Sequence, residues 1–453
     1  MNRKNKIFGR RKFLGNAFTL GALGTFGMGS FIASCSRKPT YTAPVLRDQA
    51  PDGELIKAGV IGCGGRGTGA AINFLNAGPN LEIAALGDVF QHRLDSSRSR
   101  IKDNKGVDIP DEKCFTGFDA YKKVIDSGVD YVILCEPPFF RNKSFEYAVQ
   151  ARNNIFAEKP IGTDPVNIRS VMAAGRMAES AGLNVVVGTQ RRNSPNYLST
   201  FEMVKNGAIG DLISANCYWN TGALWHVPRQ EGWTDMEAML RDWVNWTWLS
   251  GDHIVEQHVH NIDVINWFFE KIPSKCVAVG GRQRRTTGNQ NDFFSVDFEY
   301  DDGRHMHSMC RQIPDCANNV SELIFGTKGY TNAQDKIWDY NGNLIWEYQY
   351  PLDDDGRPTN RLAISPKDQE HINLVTAIRT GEYVNETQAI CESNMIAVMG
   401  RQAAYTGQEV TWDQMMDSGM ELGPETLEMG PVSEDDVPRE APLQGSPGGR
   451  ERS

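Results

Sequence analysis

One stretch in the second half of the chain concentrates side chains that exchange protons. Residues 251–268 read GDHIVEQHVHNIDVINWF and combine three histidines with one glutamate and two aspartates. On a continuous helix, Glu256, His260 and Asp263 fall at positions i, i+4 and i+7 and share one face. An imidazole beside a carboxylate takes up and returns a proton near neutral pH. This spacing therefore predicts a proton-transfer site on a helix.

The same stretch also allows a metal site or an ordinary core helix. His258 and His260 form an H-x-H pattern, but residues two apart on a helix point about 200° away from each other. The chain has no H-E-x-x-H motif, and we therefore expect no metal. A purely structural role stays open for His253 and, to a smaller extent, for His258.

A glycine-rich loop ends the first apolar run of the chain. LIKAGVIGCGGRG at 55–67 closes on the pattern G-x-G-x-x-G, and a helical stretch follows it. Such glycines allow a tight turn and a close approach of the backbone to a pyrophosphate at the helix N-terminus. The residues of the motif that we expect to contact a dinucleotide are Gly62, Gly64, Gly65, Arg66 and Gly67.

An acidic residue at the end of the next strand-like run bears on the choice of dinucleotide. Asp88 lies 21 residues after Gly67. A carboxylate there accepts hydrogen bonds from both ribose hydroxyls and repels a 2′-phosphate. The loop and Asp88 together predict NAD in preference to NADP. A glycine turn in an unrelated α/β protein is the alternative.

The elements that position these residues divide the chain into two domains. Strand-like and helical runs alternate over 55–193, which predicts an α/β Rossmann domain with a doubly wound parallel sheet. Over 194–413, short strand-like runs joined by turns predict an α+β domain with a large, mostly antiparallel open sheet. Helical patterns within 367–410 are expected to pack back towards the first domain.

The N-terminus is a separate segment. Residues 1–35 contain GRRKFLG, which resembles a twin-arginine signal with Arg10 and Arg11, and IASC, which resembles a lipobox ending at Cys35. We expect export of the folded protein to the periplasm and a membrane anchor through a lipid on Cys35. Because soluble NAD is not expected outside the cytoplasm, the cofactor would have to stay tightly bound. An uncleaved basic arm is the alternative.

Composition accounts for the remaining segments. Residues 36–54 are polar and contain prolines, and we interpret them as a linker. Residues 414–453 are acidic, with prolines and glycines, and are predicted to be a disordered tail. The net charge of −10 over 453 residues, with no basic patch in the part after the signal, argues against a nucleic-acid partner.

Three motifs together resemble a known family. FAEKPIG at 156–162, CEPPFF at 135–140 and EQHVHNID from Glu256 onward, taken with the glycine loop, are similar to the Gfo/Idh/MocA family of sugar and polyol oxidoreductases. The resemblance covers about 55–413. It implies a small-molecule sugar or polyol substrate, and oligomerisation of identical chains through the open sheet of the second domain.

The resemblance also implies roles for individual residues. Lys159 of the E-K-P motif would lie beside nicotinamide and substrate, and His260, oriented by Glu256, would complete the catalytic group. Further contacts to the cofactor are implied for Pro137, Glu158, Lys159 and Gln190. The chain departs from the family pattern at Glu256, where aspartate is more frequent, at His258, where glycine is frequent, and at Arg141, where histidine is common.

Four residues are candidates for contacts to the substrate. Trp225 could stack on a sugar ring, although core packing is the more ordinary role of an aromatic residue. Arg192 either binds polar groups of the substrate or lies at the seam between the domains. His258 and Arg141 complete this set because they replace residues that the family uses near its substrates.

The resulting hypothesis is an exported NAD-dependent oxidoreductase that oxidises or reduces a secondary alcohol of a sugar, glycoside or cyclic polyol. Lys159 and His260 would handle the hydroxyl proton. One alternative is a glycosidase that works by transient oxidation, elimination and reduction. The other is a non-catalytic lipoprotein that binds a sugar or nucleotide, against which the presence of Lys159 and His260 counts.

Overall fold

The computed structural model describes residues 40–353 and 355–439. The proposed export signal at 1–35 and the last part of the proposed tail, 440–453, lie outside the described residues. None of the helices in the described part of the chain combines the length and the apolarity that crossing a bilayer requires. The described part of the linker, 40–54, is irregular, without helix or strand.

Six parallel strands form the first sheet, in the order β3-β2-β1-β4-β5-β6. Their bounds are β1 Ile56–Ile61, β2 Leu81–Asp88, β3 Cys114–Thr116, β4 Tyr131–Leu134, β5 Asn154–Ala157 and β6 Val185–Val187. The order reverses at β1, which pairs with β2 on one side and β4 on the other. Ligands of such sheets bind at this point, outside the carboxyl ends of the strands. The predicted doubly wound sheet is confirmed.

Apolar residues on both faces of these strands explain why the sheet is buried. Neighbouring residues of β4 enter different hydrophobic cores, Val132 and Leu134 one core and Tyr131 and Ile133 the other. The helices of this domain are α1 Gly65–Asn76, α2 Gln91–Lys105, α3 Ala120–Ile125, α4 Pro138–Gln150, α5 Pro165–Ser180 and α6 Pro195–Lys205.

Nine strands form the second sheet, in the order β14-β13-β12-β11-β7-β10-β9-β8-β15. Their bounds are β7 Leu212–Thr221, β8 Lys275–Gly281, β9 Phe293–Glu299, β10 His305–Gln312, β11 Asn319–Gly326, β12 Gly329–Thr331, β13 Lys336–Asp339, β14 Leu344–Glu347 and β15 Val410–Thr411. All neighbours pair antiparallel except β7 and β10, which are parallel. The predicted mostly antiparallel sheet is confirmed, although its central strand β7 was not among the predicted strands.

Helices of the second domain pack on this sheet and reach the first domain. The helices of this domain are α7 Asp235–Arg241, α8 Thr247–Ser250, α9 His253–Glu256, α10 Val259–Phe269, α11 Pro366–Thr380, α12 Thr387–Thr406 and α13 Trp412–Asp417. α11 packs against α1 and β6, while α12 packs against α5, α10 and β8. The helices within 367–410 therefore pack back towards the first domain, as predicted.

The structure differs from the sequence prediction in the stretch 251–268, which is not one continuous helix. α9 ends at Glu256 and α10 begins at Val259. At the break, the side chain of Gln257 accepts a hydrogen bond from Gln312 of β10 at 2.7 Å. The ring of His258 turns into the core, where its Nε2 lies 2.7 Å from Ser308 Oγ. These two contacts with β10 take the place of regular helical spacing.

The structure also differs from the prediction of a disordered tail, because residues up to Arg439 pack on the protein. Val432 and Val437 are buried in a hydrophobic cluster with residues of α4, α7 and α8. Apolar residues recur at every fifth position of this segment, namely Leu422, Leu427, Val432 and Val437. The average composition of this segment is acidic and does not reveal these apolar residues. Their burial offsets the entropy cost of ordering the chain.

Candidate active site

The glycine loop lies between β1 and α1 and leaves an open surface for a ligand. Gly62 has a φ of +87°, which favours glycine, and a Cβ on Gly67 would collide with the carbonyl oxygen of Gly62. By contrast, a Cβ on Gly64 or Gly65 would meet no atom within 4 Å. The first pair therefore shapes the turn, and the second pair leaves room at the N-terminus of α1 for a phosphate group.

Asp88 lies at the carboxyl end of β2 beside this loop. Its two carboxylate oxygens accept hydrogen bonds from the backbone N–H groups of Cys63, at 2.7 Å, and Phe90, at 2.9 Å. Burial raises the pKa of Asp88, and the two backbone donors oppose this effect. A carboxylate has about four lone-pair sites, so Asp88 retains capacity to accept from the hydroxyls of a ribose.

A cleft of about 520 Å³, which we call the larger cleft, runs along the loop. Such a volume is ordinary for a small-molecule site. The residues predicted to contact the cofactor that line it are Gly62, Gly64, Gly65, Arg66, Gly67, Asp88 and Pro137. Its other wall comes from Trp225 and Trp243 of the second domain and from Leu427 of the C-terminal segment. An open loop at the N-terminus of α1 beside a carboxylate with free lone pairs fits a dinucleotide.

A second, more polar cavity of about 280 Å³, the smaller cavity, adjoins the larger cleft. The two share lining residues, namely Arg66, Cys135, Glu136 and Trp243. Predicted site residues that line the smaller cavity are Arg66, Arg141, Glu158, Lys159, Gln190, Glu256 and His260. The structure thus brings the three predicted catalytic side chains to one cavity beside the predicted cofactor cleft.

Lys159 and Glu256 form an ion pair at the edge of the smaller cavity. The Lys159 ammonium lies 3.1 Å from Glu256 Oε1, and the two side chains are 12% and 15% exposed. Lys159 also donates to the backbone carbonyl of Glu256. In a continuous helix that carbonyl would accept the N–H of His260, but this N–H goes to Gln257 instead. The helix break therefore frees the carbonyl for Lys159.

His260 contributes a neutral imidazole to the same cavity. Burial lowers the pKa of His260 well below its ordinary value, and the positive charges of Lys159, Arg191 and Lys367 lower it further. The ring stacks on Trp219, with centroids 5.8 Å apart and planes inclined by 23°. Since Glu256 pairs with Lys159, the predicted orientation of His260 by Glu256 is not what the structure has.

A buried charged network lies behind Lys159. Arg66 pairs with Glu158, and its Nη2 lies 3.8 Å from Glu370 of α11. Burial opposes ionisation of Glu158, but the adjacent Arg66, Lys159 and Arg141 hold its pKa below the ordinary value. For Glu370, burial and the nearby negative charge of Glu158 raise the pKa well above the ordinary value. Glu158 thus carries the negative charge of this network.

Two of the predicted substrate contacts, Arg192 and His258, lie away from the larger cleft and from the smaller cavity. Arg192 forms two hydrogen bonds with Asp263, at 2.8 and 2.9 Å, and this pair holds α10 against the residues after β6. His258 is fully buried against Ser308, and burial lowers its pKa to about 3. Arg192 and His258 line neither the larger cleft nor the smaller cavity, so the structure does not bring these two predicted substrate contacts to the site. Asp263, paired with Arg192, does not join His260 either.

The other two predicted substrate contacts lie near the site in different surroundings. Trp225 is 46% exposed and lines the larger cleft rather than the smaller cavity. Arg141 lines the smaller cavity, but it is buried and donates to the backbone carbonyls of Glu136 and Pro160. Through these hydrogen bonds its guanidinium connects the loop after β4 with the loop after β5.

Some residues of the site were not predicted from the sequence. Lys367 and Trp243 line the smaller cavity, and Glu370 lies directly behind it. Lys367 and Glu370 lie at positions two and five of α11, more than 200 residues from Lys159 in the sequence. Their charged side chains on an otherwise amphipathic helix offered only a weak sequence signal. The packing of α11 on α1 brings them to the site.

Comparison with known families agrees with this architecture. Residues 56–189 match the model described as an oxidoreductase family with an NAD-binding Rossmann fold, and residues 197–331 match the GFO/IDH/MocA C-terminal domain. The chain belongs to the Gfo/Idh/MocA family. Its first domain is an NAD-binding Rossmann fold.

Known relatives are distant. The chain is similar to an inositol 2-dehydrogenase of Acidothermus cellulolyticus, with 25% identity over 51% of this chain and 59% of that protein, somewhat over half of the relative's length. The fold resembles that of myo-inositol 2-dehydrogenase from Lactobacillus plantarum, with a TM-score of 0.59, 19% identity, and coverage of 79% of this chain and 99% of that one. It also resembles scyllo-inositol dehydrogenase from Lactobacillus casei with bound NAD(H) and scyllo-inositol, with a TM-score of 0.57, 21% identity, and coverage of 79% and 99%.

Proposed function

We propose that the protein is an NAD-dependent oxidoreductase that oxidises or reduces a secondary alcohol of a sugar, glycoside or cyclic polyol. One observation carries the proposal: Lys159, Glu256 and His260 line a monosaccharide-sized cavity that adjoins the larger cleft beside the glycine loop. The inositol dehydrogenases among the relatives support this class of substrate.

Five polar side chains of the smaller cavity have distinct parts in the proposed reaction. NAD, when bound, takes up or returns the hydride. Lys159 holds the reacting hydroxyl and exchanges its proton, and Glu256 holds Lys159 in position through the 3.1 Å ion pair. The neutral His260 offers one ring nitrogen to the same hydroxyl. Glu158 and Arg66 fix the backbone before Lys159, since Glu158 accepts the N–H of Lys159 at 3.1 Å.

The first prediction concerns these catalytic residues. Lys159→Ala should reduce kcat by about a hundredfold or more, because a positioned acid–base group contributes about that factor. His260→Ala should reduce it in the same direction while the bound cofactor is kept. The assay follows nicotinamide absorbance and aglycone release, with free sugars and with aryl glycosides as substrates.

The same assay separates the alternatives. Lys123→Ala, at an exposed lysine of α3, is the matched control and should keep full activity. Aglycone release without net change in nicotinamide absorbance would support the redox-neutral glycosidase and contradict the dehydrogenase. Binding of sugars without any turnover would favour the non-catalytic lipoprotein. Near-normal activity of Lys159→Ala would contradict the assigned role of Lys159.

We also propose that the protein is exported by the twin-arginine route, with Cys35 lipidated, and retains its NAD. The support is the sequence around Arg10, Arg11 and Cys35, together with the cover that Leu427 and the tryptophans provide over the larger cleft. Slow release at nanomolar affinity requires about 12 kcal/mol of binding free energy. Protein purified without added nucleotide should contain NAD(H), and fractionation of cells should find it outside the cytoplasm.

A further inference from the structure

In the part of the chain that the structure describes, one positive charge of the smaller cavity has no ion-pair or hydrogen-bond partner. Four cationic side chains line this cavity against three carboxylates, although the whole chain carries a net charge of −10. Lys159 pairs with Glu256, and Arg66 pairs with Glu158. The remaining two cations are Arg141 and Lys367.

Only one of these two is free to bind a ligand. The Arg141 guanidinium donates to two backbone carbonyls. Within residues 40–353 and 355–439, no ion pair or hydrogen bond engages the Lys367 ammonium, which is exposed at the edge of the cavity. The carboxylate of the next residue, Asp368, accepts hydrogen bonds from Asn73 at 2.7 Å and from Asn76 at 3.1 Å on α1, and forms no ion pair with Lys367 among the described residues.

Lys367 is placed to meet a substrate rather than the cofactor. It lines the smaller cavity, and the larger cleft beside the phosphate-binding loop does not include it. It is the second residue of the 15-residue helix α11, so the positive end of the helix dipole adds to its charge. Its charge is near enough to His260 to disfavour protonation of that ring. Because His260 and Lys367 line the same cavity, a ligand that fills it lies beside both.

We propose that Lys367 binds a negatively charged substituent of the substrate, so that the preferred substrates are acidic monosaccharides. The carboxylate of a sugar acid, or a phosphate ester, would pair with Lys367 while a ring hydroxyl reaches Lys159 and His260. The cavity of about 280 Å³ is at the lower limit for small-molecule sites and suits one sugar ring. This inference rests on the proposed function and specifies the substrate class of the same cavity.

The test compares sugars that share a ring and differ in whether they carry an anionic substituent. Glucose is paired with glucuronate and with glucose 6-phosphate, and galactose with galacturonate, in calorimetric binding and in steady-state kinetics. We expect the acidic member to bind about tenfold more tightly, which corresponds to about 1.4 kcal/mol. Lys367→Met, which keeps the length of the side chain but removes its charge, should abolish this difference. Its effect on binding of the acidic member should exceed its effect on binding of the neutral member.

Two further variants make the result specific to this position. Lys367→Arg should retain the preference for the acidic sugar. Lys328→Met removes an exposed lysine in the turn between β11 and β12, which lines neither space, and should behave like the parent protein. The uronate and phosphate arms identify which anionic group is preferred.

The outcomes separate this inference from the proposed function. Equal binding of neutral and acidic sugars, or a preference for acidic sugars that survives in Lys367→Met, would overturn the inference. If turnover still depends on Lys159 in that case, the proposed function stands. Conversely, binding of acidic sugars that depends on Lys367, without hydride transfer for any sugar, would support the inference and refute the function.

Discussion

At the scale of single residues, two pairs of opposite charges neutralise each other at the smaller cavity. Glu256 pairs with Lys159, and Glu158 pairs with Arg66. Outside the cavity, Asp263 pairs with Arg192 in the same way. Burying an ion costs several kcal/mol unless a partner compensates it. The pairing therefore lets several ionic groups surround one small cavity. By contrast, burial lowers the pKa of His258 and of His260, so these two rings are neutral.

A prediction at this scale concerns His258. Its pKa is about 3 in the folded protein against 6.5 for the free side chain, so below pH 6.5 the unfolded chain takes up a proton that the folded chain refuses. His258 therefore lowers the free energy of unfolding as the pH falls below 6.5. We expect His258→Gln to be less stable than the parent at pH 8. That deficit should shrink by about 1.4 kcal/mol per pH unit below 6.5.

Urea unfolding of both proteins between pH 8 and about pH 4 measures this difference. Comparing the two proteins removes the contributions of carboxyl groups that both share, such as Glu386, whose pKa burial raises to about 7. Parallel stability curves would show that His258 titrates alike in the folded and unfolded chains, and would contradict its assigned burial against Ser308.

At the scale of elements, two irregular segments complete the site. The break between α9 and α10 frees the carbonyl of Glu256 for Lys159. The segment after α13 runs back over the first domain, where the N–H of Leu422 donates to Asp164 at 3.1 Å. The side chain of Leu427 then lines the larger cleft. With a regular helix, Lys159 would lose its hydrogen bond to the carbonyl of Glu256. With a free C-terminal tail, the larger cleft would lose the side chain of Leu427.

A prediction at this scale concerns the C-terminal segment. A chain that ends at Ser418 loses Leu427 from the cleft and Val432 and Val437 from their cluster. Each buried side chain of this kind contributes about 1.5–3 kcal/mol. We expect NAD to dissociate at least about tenfold faster, as measured by nicotinamide fluorescence after dilution.

Two matched variants accompany the truncation. A chain that ends at Arg439 keeps all the contacts described above and should release NAD at the parent rate. Leu427→Ser changes one lining residue and should increase the release rate even if the longer truncation impairs folding. Unchanged release in Leu427→Ser and in the shorter chain would refute the covering role of the segment.

At the scale of the whole molecule, the second sheet exposes apolar residues on one of its faces. The residues of β8 that face outward include Val277 and Val279, which are 50% and 54% exposed. Exposed apolar residues on an open sheet are a liability unless another surface covers them. We propose that a second copy of the chain covers this face, in agreement with the oligomer that the sequence motifs predict.

A prediction at this scale tests that assembly. Val279→Asp places a charge on the outer face of β8 and should shift the protein towards the monomer, because the charge would be buried without a partner in the interface. Light scattering after size-exclusion chromatography measures the mass. Val45→Asp, at a residue that is 94% exposed and lies outside the sheet, is the control. A parent protein that is monomeric at micromolar concentration would contradict the proposal.

The sequence by itself determined the first domain almost completely. The alternation of apolar runs with helical patterns specified five of its six strands, and the glycine spacing located the loop and Asp88. Such features depend on local backbone requirements and on hydrophobic periodicity, which a single sequence records. The motif around Lys159 likewise identified one side of the smaller cavity. The positions of Glu256 and His260 identified its other side.

Only the tertiary structure decided how these residues pair. Helical spacing placed Glu256 beside His260, but contacts of Gln257 and His258 with β10 break the helix and direct Glu256 to Lys159. The same reasoning could not find Lys367, because α11 is brought to the site by packing over a separation of more than 200 residues. Long-range packing chooses among the partners that local spacing allows, because the burial of an entire helix face outweighs the preference of one side-chain pair.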